Sequence, residues 1–215
     1  MDITTKSLVA QTSQMLSWLE GYGFKYFKSY EHYRRKNENG YSYIAINSIT
    51  HNGTNYHLAF YISVRIDRIE EEIKKLYGED MKLNHYSRTI WSFTVNIGPG
   101  SPHWDYPIRG GWEISCLQGL ETKKDSINEF INDLALPYVT EHMDPLAIRD
   151  TLIHKDGHSQ TLYPYEQILA IDLLFGTKEQ VVQDIDFLKC RYKTYAKKPM
   201  ARLNKYIELV SRRLE

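Results

Sequence analysis

Apolar residues recur along this chain with two different periods, and the change from one to the other divides the sequence. Leu8, Thr12, Met15, Leu16 and Leu19 follow one another at spacings of four, three, one and three, which makes one face of a helix. Thr4 or Thr5 can cap its start, and Gly21 and Gly23 can close it through the left-handed conformation that glycine adopts easily. Period two then takes over. Tyr56, Leu58, Phe60, Ile62, Val64 and Ile66 alternate with His57, Ala59, Tyr61, Ser63 and Arg65, a strand with one apolar face. Ahead of it, Ile44 and Ile46 share one face while Tyr41, Tyr43 and Ala45 share the other, and a less regular strand is expected from Phe24 to about Arg35. Short Asn- and Gly-rich connections, among them Asn52-Gly53, predict hairpins and therefore an antiparallel meander.

A second helix is expected over about 67–77, with Ile66, Ile69, Ile73 and Leu76 inward and Glu70, Glu71, Glu72, Lys74 and Lys75 on the wet face. Two further strands follow. One runs through Trp91, Phe93, Val95 and Ile97; the other through Trp112, Ile114 and Cys116, with Cys116 on its apolar side. From about residue 120 the period is helical. Ser126 and Glu129 suggest a capping box, and Pro137 is placed to end or kink the helix. Asp144-Pro145 opens a short helix, and 163–175 is apolar nearly all round, as a buried helix would be. Gly176 and Thr177 separate it from a helix carrying Val181, Ile185, Leu188 and Tyr192. Pro199 opens the last one, through Met200, Leu203, Ile207, Val210 and Leu214. The expected fold is α+β: a mainly antiparallel sheet of about five strands packed by helices, with a helical C-terminal region. Residues 1–143 would form the sheet region and 144–215 the helices, in close contact as one compact unit.

Composition narrows the function. Lys and Arg balance Asp and Glu at 27 each in 215 residues, which argues against a generally polybasic nucleic-acid binder. Mean hydropathy is −0.51, and no apolar run is long enough to cross a membrane. The start, Met-Asp-Ile-Thr-Thr-Lys, lacks the features of a signal peptide, so a cytoplasmic protein is expected. Two cysteines, Cys116 and Cys190, are too few for a disulfide framework and read as small buried hydrophobes. Seventeen tyrosines suit half-buried sheet faces or a wet recognition surface.

Charge is unevenly spread. From Phe187 onward nine cations face two glutamates, so this segment carries +7. Lys189, Arg191, Lys193, Lys197, Lys198, Arg202 and Lys205 could contact nucleic acid, or simply form helix exteriors. Near the N-terminus, Lys25, Lys28, Arg34, Arg35 and Lys36 alternate with Tyr26, Phe27, Tyr30 and Tyr33, a pattern that a single-stranded nucleic-acid platform would also need. No P-loop, dinucleotide fingerprint, nucleophile elbow or His-Glu-x-x-His motif is present. His154 and His158 are four apart but straddle Asp156-Gly157, where helical spacing loses its meaning for a metal. No metal or cofactor is expected.

The loop 98–111, with three prolines and four glycines, holds the strongest candidate residues: His103, Trp104, Asp105, Tyr106 and Arg109. Trp, Tyr and Arg dominate binding hot spots, and a stiffened loop between strands would present them to a partner. The other reading is a loop whose Trp104 plugs the end of the sheet. The helix ending at Gly23-Phe24, the tyrosine-rich meander, Val95-Asn-Ile-Gly98, Trp112-x-Ile114 and Leu136-Pro-Tyr138 together resemble small bacterial α+β families of unknown function. Some families of that style accompany secreted toxins as immunity proteins. The resemblance implies a non-enzymatic protein-binding role, immunity or accessory in kind, and carries no catalytic residues across. The alternatives are an enzyme, a hydrolase or nucleic-acid-processing activity using His103 and Asp105 of the loop, and a nucleic-acid binder using the basic helices.

Overall fold

The computed structural model describes residues 3–51, 55–78, 90–92, 111–154, 164–193 and 197–215. The chain is α+β and divides into two compact units: Met1–Val64 with Trp91–Met143, and Arg65–Ile90 with Asp144–Glu215.

In the first unit, α1 (Thr5–Met15) starts at Thr4, whose side chain accepts from Ser7 N–H while the Ser7 hydroxyl accepts from Thr4 N–H. A 3-10 turn, Ser17–Tyr22, follows and ends at Gly23, which is left-handed (φ 80°). The sheet has six strands among the described residues: β1 (Lys25–Phe27), β2 (His32–Asn37), β3 (Gly40–His51), β4 (Asn55–Ile66), β5 (Ile90–Ser92) and β6 (Trp112–Ile114). Their order is β1-β2-β3-β4-β5, and β6 pairs antiparallel with the start of β4, Leu58 opposite Trp112.

The strand expected over 24–35 is in fact two. Lys28–Tyr30 form a 3-10 turn and Glu31 takes φ 52°, so the chain reverses and Tyr26 pairs with Tyr33. The irregular alternation at Tyr26, Phe27 and Tyr30 is the trace of this hairpin. Register puts Tyr26, Tyr33, Arg35, Ser42 and Ile44 on one face, and Phe27, His32, Arg34, Tyr41, Tyr43 and Ala45 on the other. On the first face the Tyr33 hydroxyl donates to Ser13 O of α1, tying helix to sheet. Phe60, Trp112 and Phe130 pack ring against ring in the core, all 0–1% exposed.

Two short expectations fail. Helix α3 (Leu117–Glu121) leaves Cys116 exposed at its N-terminus, and α4 (Lys124–Phe130) begins ahead of Ser126. Ser126 makes no capping box, because its hydroxyl accepts from the Trp112 indole N–H (2.8 Å) and donates to Lys123 O. After α4 the helix continues without a break through a π-helical turn, Ile131–Ala135, into α5 (Leu136–Glu141). Pro137 has no N–H to give the carbonyl four residues back. The helix widens instead of ending, and Leu136 N–H bonds to Ile131 O.

The second unit is helical: α2 (Asp67–Tyr77), α6 (Pro145–His154), α7 (Pro164–Phe175), α8 (Lys178–Tyr192) and α9 (Lys197–Leu214). Helix α7 packs against the other four, and Tyr165 through Asp172 are all buried, as its apolar circumference predicts. Thr177 caps α8 by accepting from Gln180 N–H. The wet face expected for α2 is only partly wet. Glu70 and Glu72 are 3% and 4% exposed, and Glu72 is salt-bridged to Lys75 and Arg213.

Candidate functional site

The loop residues His103, Trp104, Asp105, Tyr106 and Arg109 lie outside the described residues, as do Asn52-Gly53 and His158. Gly111, the last residue of that loop, is described. Its φ is 117°, and a Cβ there would stand 2.3 Å from Leu58 O, so the strand entry admits only glycine. Cys190, like Cys116, is exposed and not a core hydrophobe. His154 is the last residue of α6. Among the described residues no group of three His, Cys, Asp or Glu is placed to hold a metal. No helix among them is long and apolar enough to cross a membrane.

The basic residues near the C-terminus do not form a single free array. Arg191 donates to the carbonyls of Leu152 and Ile153 at the end of α6, and Arg202 to the buried Glu166 carboxylate (2.8 Å). Arg212 pairs with Glu208. Lys189, Lys193 and Lys205 are exposed; the side chains of Lys197 and Lys198 are outside the described set. In the N-terminal hairpin, Tyr33 is buried and the Arg34 guanidinium lies over Phe27 (4.1 Å) and Tyr41 (5.1 Å), so those rings already carry a cation.

Two buried charge clusters brace the helical unit. Arg149 of α6 bridges Asp172 of α7 (2.6 Å) and Asp184 of α8, whose side chains are 1% and 9% exposed. One guanidinium thus serves two buried carboxylates, with the exposed Asp150 a third at 3.5 Å. Burial first, and then the neighbouring Asp184, push the Asp172 carboxyl above the ordinary range. Glu166 accepts from Tyr77 (2.6 Å) and Arg202, and its backbone carbonyl accepts from Tyr206. Burial raises Glu166, while those donors act the other way. These groups face one another across helix contacts and hold the bundle together.

A groove in the sheet unit differs from these clusters. About 520 Å³ in volume, it is bounded by Tyr22 at the end of the 3-10 turn and by Arg35 of β2. Its other wall is Asn132 of the π turn with Leu136, Pro137, Thr140 and Glu141 of α5. Each wall has a local cause. Tyr22 stands edge-on against Trp18, whose indole N–H donates to Asn128 of α4 (3.0 Å). Tyr22 is nevertheless 53% exposed. The Arg35 stem passes beside the left-handed Gly23, 3.7 Å from where a Cβ would be, and its guanidinium carbon is 4.9 Å from the ring centre of the buried Phe24. Asn37, two residues on, ties β2 to Met143 just beyond α5 and to Ser42. The π turn sets the helical wall, placing Asn132, Leu136 and Pro137 on one side; such turns recur at functional sites.

Arg35 is the unusual member. Its Nε is buried and has no hydrogen-bond partner among the described residues. Burial alone lowers its pKa from the ordinary guanidinium value, with no carboxylate acting the other way. Glu141 lines the same groove without pairing to it. Thr140 offers little, since its hydroxyl donates back to Leu136 O. The signals that could have found this site were Gly23-Phe24 and Leu136-Pro137, which the sequence reading used as helix ends and as marks of a family resemblance. No family model, curated protein or solved structure matches this chain.

Proposed function

We propose that this chain is a non-enzymatic protein-binding protein and that the groove between Tyr22, Arg35 and α5 is part of its contact surface. The observation that carries the reading is Tyr22, a large aromatic ring left 53% exposed at the rim of a groove in the sheet unit. Such a ring has few rotors and is the residue type that anchors interfaces. The loop 98–111, with Trp104, Tyr106 and Arg109, is a second contact segment in this reading. An immunity or accessory role in the cytoplasm is its specific form.

The test is a photo-crosslinking amino acid placed at Tyr22, at Tyr106 and, as a control, at the exposed Val182 of α8. Each variant is expressed in the native cell. A discrete protein adduct is expected from Tyr22 and Tyr106 and not from Val182, and the purified adduct partner should bind the unmodified chain. Adducts only from Val182, or no binding by the purified partner, would overturn the reading.

A further inference from the structure

The β1–β2 hairpin concentrates positive charge. Five of the sheet unit's nine Lys and Arg fall within residues 25–36, beside one acid, Glu31. We propose that this hairpin binds single-stranded nucleic acid, with Lys25, Arg34 and Lys36 meeting phosphates and Tyr30 carrying a base. The site is separate from the Tyr22 groove, because Arg35 lies on the opposite face of β2.

Register builds the site. Lys25 lies directly opposite Arg34, and Lys36 follows Arg34 by two residues, so all three share one sheet face. Opposed Cα atoms stand about 5 Å apart, and same-face neighbours along a strand about 7 Å. The three therefore form a short track of positive charge. Lys25 and Lys36 are exposed and Arg34 is half-buried, and none of them is ion-paired among the described residues. Lys28, exposed in the turn, extends the track. Arg202 and Arg212 of the helical unit, by contrast, already hold carboxylates. Glu31 and Glu38 stand in the turns at either end of β2.

Arg34 is positioned in advance. Its guanidinium carbon lies over Phe27 and Tyr41, 4.1 Å and 5.1 Å from the ring centres, which limits the freedom lost on binding. Those two rings are engaged by the cation, but Tyr30 is 48% exposed. Its ring lies nearly parallel to that of the buried His32, at 19° with centres 5.7 Å apart. His32 backs the tyrosine from the protein side, and the exposed part is what a base can cover. A track of cations suits a polyanion, and a ring beside it suits a base, because every base has a π-face. An acidic peptide would satisfy the cations and leave Tyr30 without a role. A duplex keeps its bases stacked inside, out of reach of this ring. The chain's zero net charge fits a local contact of about three or four phosphates.

The test is fluorescence anisotropy of fluorescein-labelled octathymidylate titrated with the full chain. Saturable binding is expected, with a Kd of about 10 µM at about 50 mM salt. Log K should fall against log salt with a slope of about −2 to −3, as about three or four single-strand phosphates require. An abasic octamer, which keeps the phosphates, should bind at least about fivefold more weakly. Tyr30→Ala should lose that factor on octathymidylate and nothing on the abasic strand. Joint Lys25→Gln and Lys36→Gln should weaken both strands at least about tenfold. Joint Lys189→Gln, Lys193→Gln and Lys205→Gln in the helical unit should change binding by less than about twofold, since distant charges are screened. All the substituted side chains are exposed, and the comparison of the two strands on the parent chain depends on no variant. No saturation by about 200 µM, equal binding of the two strands, or an equal loss from the helical-unit variant would overturn the proposal. So would octaglutamate that displaces the probe as well as unlabelled octathymidylate does, which would make the hairpin a site for acidic protein segments.

Discussion

Replacing Arg149 by Met removes one cation and strands two carboxylates. In the parent, Asp172 and Asp184 are 1% and 9% exposed and both bond to the same guanidinium. Removing one partner of a buried ionic group costs about 3–5 kcal/mol, because the remaining charges keep their desolvation penalty. Two responses limit the loss here. Gln180 still donates to Asp184 at 3.3 Å, and Asp172 can take up a proton. We therefore expect the lower end, about 3 kcal/mol, at neutral pH. The pH dependence follows from the raised Asp172 carboxyl. A carboxyl held above its unfolded value of 3.8 favours folding fully below that value, and the benefit is lost as pH rises through the folded-state pKa. Without Arg149 the folded-state value rises further. The deficit of Arg149→Met should thus be small near pH 4 and grow toward neutrality. Adding Asp172→Asn should restore much of it at pH 7, since one buried charge is gone. The assay is urea unfolding followed by circular dichroism at 222 nm, at several pH values. Tryptophan fluorescence would not serve, because Trp18, Trp91, Trp104 and Trp112 all fall outside the helical unit. A deficit under about 1 kcal/mol at pH 7, or one that does not change with pH, would refute the reasoning.

Three further outcomes are expected. Gly111→Ala should destabilise strongly, by about 3 kcal/mol or more, because the new methyl meets Leu58 O at 2.3 Å in a left-handed backbone; a thermal midpoint within a degree of the parent would contradict this. Both cysteines should react with a small thiol reagent in the folded protein, giving two equivalents at nearly the rate of the denatured chain; protection of Cys116 would return it to the core. Ser126→Ala leaves the Trp112 indole N–H without its partner in a buried site, so about 1–3 kcal/mol should be lost together with a change in tryptophan emission, and an unchanged urea midpoint would count against the bond.

Local periodicity was enough for much of this fold. The helix capped at Thr4, the period-two run from Tyr56 to Ile66, the buried helix through Ile168 and the Thr177 cap are set by residues within a few positions of one another, so sequence shows them directly. What depended on distant partners was not visible. The hairpin at Glu31 exists because Tyr26 finds Tyr33 in register, and Ser126 abandons its cap because Trp112, fourteen residues away, needs an acceptor. Glu70 and Glu72 alternate like solvated charges yet are buried, since helix period says which residues share a face and not what covers it. The groove is the extreme case. Gly23, Arg35 and Pro137 each have a plain local meaning as helix cap, strand cation and helix breaker. Only the folded chain brings a left-handed turn, an arginine beside a buried phenylalanine and a widened helix to one place, because burial is a property of packing and not of spacing.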